Sequence, residues 1–274
     1  MLVLAANRLL LFQVCLGVIF GLLTMKDILG FIEQKKQEFA RLPLFEFMQD
    51  TSIDPRTRLG WAPCAAFFIM SFGDLNKYIF RDETTSDPIQ ELINTHTHED
   101  EHHSVWFLQD LEKLSFDDSL KFSDTLDFLW GEETQITRWV THQLFGYAFG
   151  ATPIQKLVII EVLEATGNIV FTSASQVSME LERMSGQQCD YFGSFHLDVE
   201  TGHTTGNQNI EEILFNIELK ASQEQELLNL ANQVFEVLFK LNYALLAYAQ
   251  KNQSVFTSGK NHYDTDVVPV SSGL

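Results

Sequence analysis

The chain has 274 residues, 45% hydrophobic and 20% charged, which gives length for one or two domains with a sizeable core and excludes a disordered or low-complexity chain. Eighteen Lys and Arg against 37 Asp and Glu leave a net charge of −19, which repels phosphate backbones and excludes nucleic acid as the expected partner. Cys15, Cys64 and Cys189 are odd in number and widely spaced, so neither a disulfide framework nor a thiolate zinc site is expected, and a reducing, cytoplasmic setting fits best.

In chain order, Leu9 to Met25 comes first, an uncharged apolar run behind a lone Arg8 and marginal in length for a membrane span. One Arg before the run and Leu22-Leu23-Thr24-Met25 at its end make a poor signal peptide. Met25 opens Met-Lys-Asp-Ile-Leu-Gly-Phe-Ile, an amphipathic helix start. Residues 1–24 are therefore read as an apolar extension: a segment upstream of a true start at Met25, a membrane anchor through residues 9–25, or a buried helix. Residues 25–252 are read as a helical bundle and 253–274 as a polar tail.

Prolines stand only at 43, 55, 63, 88, 153 and 269, and the long stretches between them repeat apolar residues at three- and four-residue spacing. Asp87-Pro88 and Thr152-Pro153 each set a capping side chain before a first-turn proline, so a long helix starts at each. Ser222-Gln-Glu-Gln225 reads as a capping box ahead of the stripe Leu227, Leu228, Leu230, Val234, Leu238 and Leu241, which runs to about Gln250. Further helices are expected at about 26–40, 62–82, 120–146 and 187–204, with loops at 50–60, 115–119 and 205–209. The fold class is thus all-α with seven helices. Leu157-Val-Ile-Ile-Glu-Val162 and Ile169-Val-Phe-Thr172 favour strand by propensity, but no partner strand is apparent, and a helix apolar on all sides suits the centre of a bundle.

Four of the eight histidines lie in Thr-His96-Thr-His98-Glu-Asp-Glu-His102-His103. On a helix from Pro88, Glu91 and His98 are seven residues apart and leave the same face, a carboxylate and an imidazole that form half a metal site. His196-Leu-Asp-Val-Glu200-Thr-Gly-His203 places three ligands at i, i+4 and i+7 on one helical stripe, a pattern expected by accident roughly 0.03 times in a chain of this composition. Between them, Glu161 or Glu164 on an apolar helix would be costly as an unpaired charge, and a metal would neutralise it. The set holds oxygen and nitrogen but no sulfur, which suits iron or manganese, and two metals need about this many ligands. Glu99-x-x-His102 leaves a ferritin-like arrangement as an alternative.

In order, Glu91, His98, Glu164, His196, Glu200 and His203 match Glu-x6-His, a lone Glu, then His-x3-Asp/Glu-x2-His. Trp61-Ala-Pro-Cys-Ala-Ala-Phe-Phe-Ile-Met-Ser-Phe precedes this set, and Glu99-Asp100-x-x-His103-x-x-Trp106-Phe-Leu-x-Asp110-Leu lies within it. On these residues the chain, over roughly 26–250, resembles the heme-oxygenase-like di-iron oxidases and oxygenases, and is similar to their chlamydial-death-protein-like branch. The resemblance implies a seven-helix heme-oxygenase-like bundle that binds two ferrous ions and takes O2 as co-substrate. It would oxidise a small-molecule substrate (an amine, amino acid or fatty acid), served by an electron donor of unknown identity, with a homodimer as one arrangement. It also implies that Glu91, His98 and Glu164 hold one iron beside His196, that Glu200 and His203 complete the second, and that Glu161 rivals Glu164. Position 200 is Glu where the family more often has Asp.

The competing expectation is a non-catalytic helical binding or regulatory protein on the same bundle. A heme oxygenase is disfavoured because residues 26–50 contain no histidine, and a thiaminase because no cysteine is placed as a nucleophile.

Overall fold

The computed structural model describes residues 23–117, 121–205 and 217–258, and the fold is all-helical. Met25–Phe39 forms α1, and its Thr24 cap is closed by Asp27, whose carboxylate accepts the Thr24 N–H at 3.0 Å. Residues 1–22, and with them most of the expected apolar extension, lie outside the described residues. Two-residue strands Leu23–Thr24 and Glu218–Leu219 pair antiparallel and tie the start of α1 to the approach of the last long helix.

Pro43–Gln49 forms α2 and Pro55–Arg58 forms α3, both opened by first-turn prolines. The second turns part of the expected 50–60 loop into helix: Asp54 caps it, accepting the Arg56 N–H at 2.9 Å. Ala62–Leu75 is α4 and runs into a π-helical turn, Asn76–Phe80, so the expected 62–82 helix holds nearly to its end but changes winding. Pro88–Asp100 is α5 and His103–Lys113 is α6; Glu101 and His102 interrupt what the sequence suggested as one helix.

The expected 120–146 helix is two, Phe122–Trp130 (α7) and Gln135–Ala148 (α8), parted at Gly131. Thr134 and Arg138 tie down the carbonyls left open at that break, Thr134 Oγ1 donating to Phe128 O and Arg138 to Gly131 O. Pro153–Ser185 is α9, a single helix of 33 residues through the β-branched stretch that propensity assigned to strand. Its buried side chains include Leu157, Val158, Ile159, Ile160, Val162 and Leu163, so packing on all sides overrides local preference. By length and composition α9 could cross a membrane, but half of its most apolar window is buried inside the bundle.

Ser194–Thr205 is α10, beginning seven residues later than expected because 187–193 forms a turn. Ala221–Lys251 is α11; its cap is Lys220, whose N–H donates to the Gln223 side chain, two residues before the expected cap. Gln253–Ser258 adds α12 where the polar tail was expected to begin, and Phe256 is buried against Gly60 and Phe116. The helices α1, α9 and α11 pack on one another at the centre of the bundle, and α5, α8 and α10 pack around them.

Candidate metal centre

The interruption between α5 and α6 builds the site. Asp87 caps α5, its Oδ1 accepting the Ile89 and Gln90 N–H groups at 2.9 and 3.1 Å. The buried stripe of α5 is Gln90, Ile93, Thr97 and Asp100, spaced three, four and three residues apart. Residues 80–82 run along this helix and are strapped to it. Gln90 donates to Phe80 O at 2.8 Å, Asn94 to Asp82 O at 2.9 Å, and Arg81 to Thr97 Oγ1 and Glu101 Oε2 at 3.1 and 2.7 Å. The strap fixes the rotation of α5, and that rotation turns His96 and Asp100 toward the interior.

The same rotation corrects the expected first pair. Glu91 is exposed, and His98 lies on the outer surface, where its Nε2 meets Glu83 Oε1 at 2.8 Å. A side chain one position beyond the buried Thr97 is swung about 100° away from the interior. The seven-residue spacing is instead filled by His96 and His103, with Asp100 between them. His96-x3-Asp100-x2-His103 repeats the spacing of His196-x3-Glu200-x2-His203, and this repetition is the signal the sequence offered for the residues that were missed.

His96, Asp100 and Glu164 bring one ligand atom each within 4.8 Å of one another. His96 Nε2 is 3.0 Å from Asp100 Oδ2 and 3.4 Å from Glu164 Oε1. Beside this trio, His103 Nδ1 lies 3.1 Å from His196 Nε2, and Asp100 Oδ1 lies 3.9 Å from the same His103 nitrogen. Asp100 therefore turns one carboxylate oxygen to each half of the cluster. Glu164 comes from the middle of α9 and lines the central cavity; Glu161, half-buried one turn earlier, does not line it. Glu200 and His203 lie on the backbone of α10, and their side chains are outside the described residues.

The orientation of His196 is set from below. Its Nδ1–H donates to the Tyr191 carbonyl at 2.9 Å, which leaves Nε2 as the acceptor facing His103. The Tyr191 carbonyl is in turn held by Asp110 of α6. Its carboxylate accepts the backbone N–H groups of Asp190, Tyr191 and Phe192 at 2.9, 2.8 and 2.9 Å, and Lys113 closes the group. Trp106 stacks on His103 with ring centres 4.5 Å apart, and Phe171 covers His196 at 4.0 Å. These rings keep water from the imidazoles, of which His196 is 1% and His103 7% exposed.

A first-row ion with bonds of roughly 2.1 Å at right angles separates neighbouring donor atoms by about 3.0 Å. The His96–Asp100 and His103–His196 separations match that figure, and the Glu164 oxygen lies within a few tenths of an ångström of it. The donors are three imidazoles and two carboxylates, without sulfur, and suit iron or manganese rather than a structural zinc. Cys64 and Cys189, buried elsewhere, have thiols pushed up by burial to about 11. Neither is poised to ligate.

Four residues of the cluster form one wall of a partly open cavity of about 140 Å³. Asp100, His103, Glu164 and His196 are its charged and imidazole lining, Ser104, Thr166, Tyr191 and Asn242 add neutral polar groups, and the rest, represented by Phe39, Leu44, Phe68, Val170 and Leu238, is apolar. Models of known protein families yield no match to this chain, and a search of curated proteins finds no match either.

Proposed function

We propose that the protein is an O2-dependent non-heme di-iron oxidase or oxygenase on a heme-oxygenase-like bundle, its seven expected helices broken into more segments, acting on a small organic molecule in the central cavity. The observation that carries this reading is the convergence of Asp100, His103, Glu164 and His196 on one wall of a largely apolar chamber, with His96 held against Asp100 and Glu164. Two half-sites joined by the two oxygens of Asp100 call for two metals, and Glu200 and His203, one and two turns beyond His196, are the residues to complete the second. Manganese is the alternative metal.

In this reading the first pair of the family-like pattern is His96 and His103, with histidine standing where that pattern has Glu. Asp100, on the same helix, supplies the carboxylate charge that His96 does not. Bound iron would supply the electron chemistry with O2 that side chains lack. Of the chain's own residues, Asp100 and Glu164 would bind and neutralise it, the Tyr191 carbonyl fixes the imidazole tautomer of His196, and Trp106 and Phe171 shield the two imidazoles from water. The electron donor comes from outside the chain.

The test is to load the full-length protein with ferrous ion without air, mix it with O2, and follow O2 uptake and the visible spectrum beside Glu164→Ala. Uptake in proportion to bound iron, lost in Glu164→Ala, supports the oxidase. Uptake no faster than that of free ferrous ion in buffer sinks it and moves the assignment to a non-catalytic binding protein.

A further inference from the structure

One wall of the cavity belongs to a helix that gives nothing to the metal cluster. From α11, Leu238, Leu241 and Leu245 line the chamber at i, i+3 and i+7, and Asn242, at i+4, lies within the same stripe and lines it too. Asn242 is 2% exposed, and its Oδ1 is enclosed without a hydrogen-bond partner. Leucine at this position would match its neighbours in shape and leave nothing unsatisfied. A buried amide oxygen without a partner is the kind of group that native interiors exclude unless something else meets it.

Resting on the reading of this chamber as the substrate site, we propose that Asn242 sets specificity. With its side-chain amide turned into the chamber, its carbonyl oxygen, enclosed while the chamber is empty, accepts a hydrogen bond from an N–H or O–H group on an otherwise apolar ligand, and the carbon skeleton packs on the surrounding Leu and Phe side chains. A chamber of about 140 Å³ admits a body near the size of a single substituted ring. Among small organic substrates this selects those bearing a neutral amine or hydroxyl, and disfavours a pure hydrocarbon of the same shape. A site built to hydrogen-bond such a group discriminates strongly against the analogue lacking it, because its own polar atom is then left unpaired.

The probes are toluene, phenol and aniline, which share one shape and differ only in the donor. Binding to the metal-free full-length protein is measured by calorimetry, so the polar probes have no iron to ligate. Phenol and aniline are expected to bind wild type at least tenfold more tightly than toluene, although toluene is the most hydrophobic of the three. In Asn242→Leu and Asn242→Ala that order reverses, and Asn242→Leu unfolds at a higher temperature than wild type because the unpaired group is gone.

Toluene binding as tightly as phenol, a preference for phenol that survives in both variants, no binding of any probe, or a lowered melting temperature in Asn242→Leu would each overturn the proposal. Ferrous binding by Asn242→Leu is measured beside these and is expected to equal that of wild type. If neither protein binds iron, the di-iron reading fails while the order of the three probes still decides the role of Asn242.

Discussion

His103 Nδ1 and His196 Nε2 stand 3.1 Å apart although 93 residues separate them in the chain. One is at the first turn of α6, directly after a helix break, and the other is in the first turn of α10, directly after the turn held by Asp110. Each imidazole is therefore placed by backbone that departs from regular helix, so the metal centre depends on those two irregular segments.

Asp110 is the first to test. Asp110→Ala removes the acceptor from three backbone N–H groups, two of them buried, and is expected to destabilise the protein by roughly 3–5 kcal/mol in denaturant unfolding. Ferrous affinity should fall by ~10–100-fold in parallel, since the Tyr191 carbonyl no longer holds His196. Unchanged metal affinity in a folded Asp110→Ala protein would show that this turn does not position the imidazole.

Gly193 closes the same turn at the entry to α10. A Cβ there would lie 1.9 Å from the Cys189 carbonyl oxygen, so Gly193→Ala must push two backbone segments apart. The expected cost is ~2–4 kcal/mol. A melting temperature equal to that of wild type would contradict the close approach.

Acid sensitivity should trace to the strap on α5. The Arg81 guanidinium, hydrogen-bonded to Glu101, holds that carboxyl below its ordinary value of 4.5. A lowered folded-state value stabilises the native chain at pH above the ordinary value, and the gain is lost as pH falls through the folded-state value. The melting temperature of Glu101→Gln should therefore lie below that of wild type at neutral pH, with the gap closing well below pH 4.5. A gap that is constant across this range would contradict the assignment.

Thiol chemistry gives an independent check that sulfur takes no part. With both thiols raised to about 11, about one in a thousand of either is thiolate at pH 8. In a Cys15→Ser chain, Cys64 and Cys189 should react with a disulfide reagent only after denaturation. Rapid labelling of the native chain, or its suppression by ferrous ion, would show a reactive or ligating thiol.

The helical class was legible because periodicity and proline placement report packing directly: Asp87-Pro88 and Thr152-Pro153 start helices where expected, and α9 is one helix despite its β-branched run. What the sequence did not disclose was rotation. Glu91 with His98 and His96 with His103 have the same seven-residue spacing, and which pair turns inward follows from the packing of α5 on α9 and the strap from Phe80, Arg81 and Asp82. The break at Glu101-His102 carries no proline or glycine to mark it. Glu164 was legible as a carboxylate on an apolar helix, but its separation from Glu161 required knowing which flank of α9 faces the chamber.

The most direct test of the central claim is an anaerobic ferrous titration by calorimetry of wild type, His96→Ala, Asp100→Ala, Glu91→Ala and His98→Ala. Wild type should bind two ions per chain. Affinity should fall by more than ~100-fold at one or both ions in the His96 and Asp100 variants and match wild type in the Glu91 and His98 variants. Loss of binding in Glu91→Ala or His98→Ala with His96→Ala unaffected, or no stoichiometric binding by wild type, would contradict the claim.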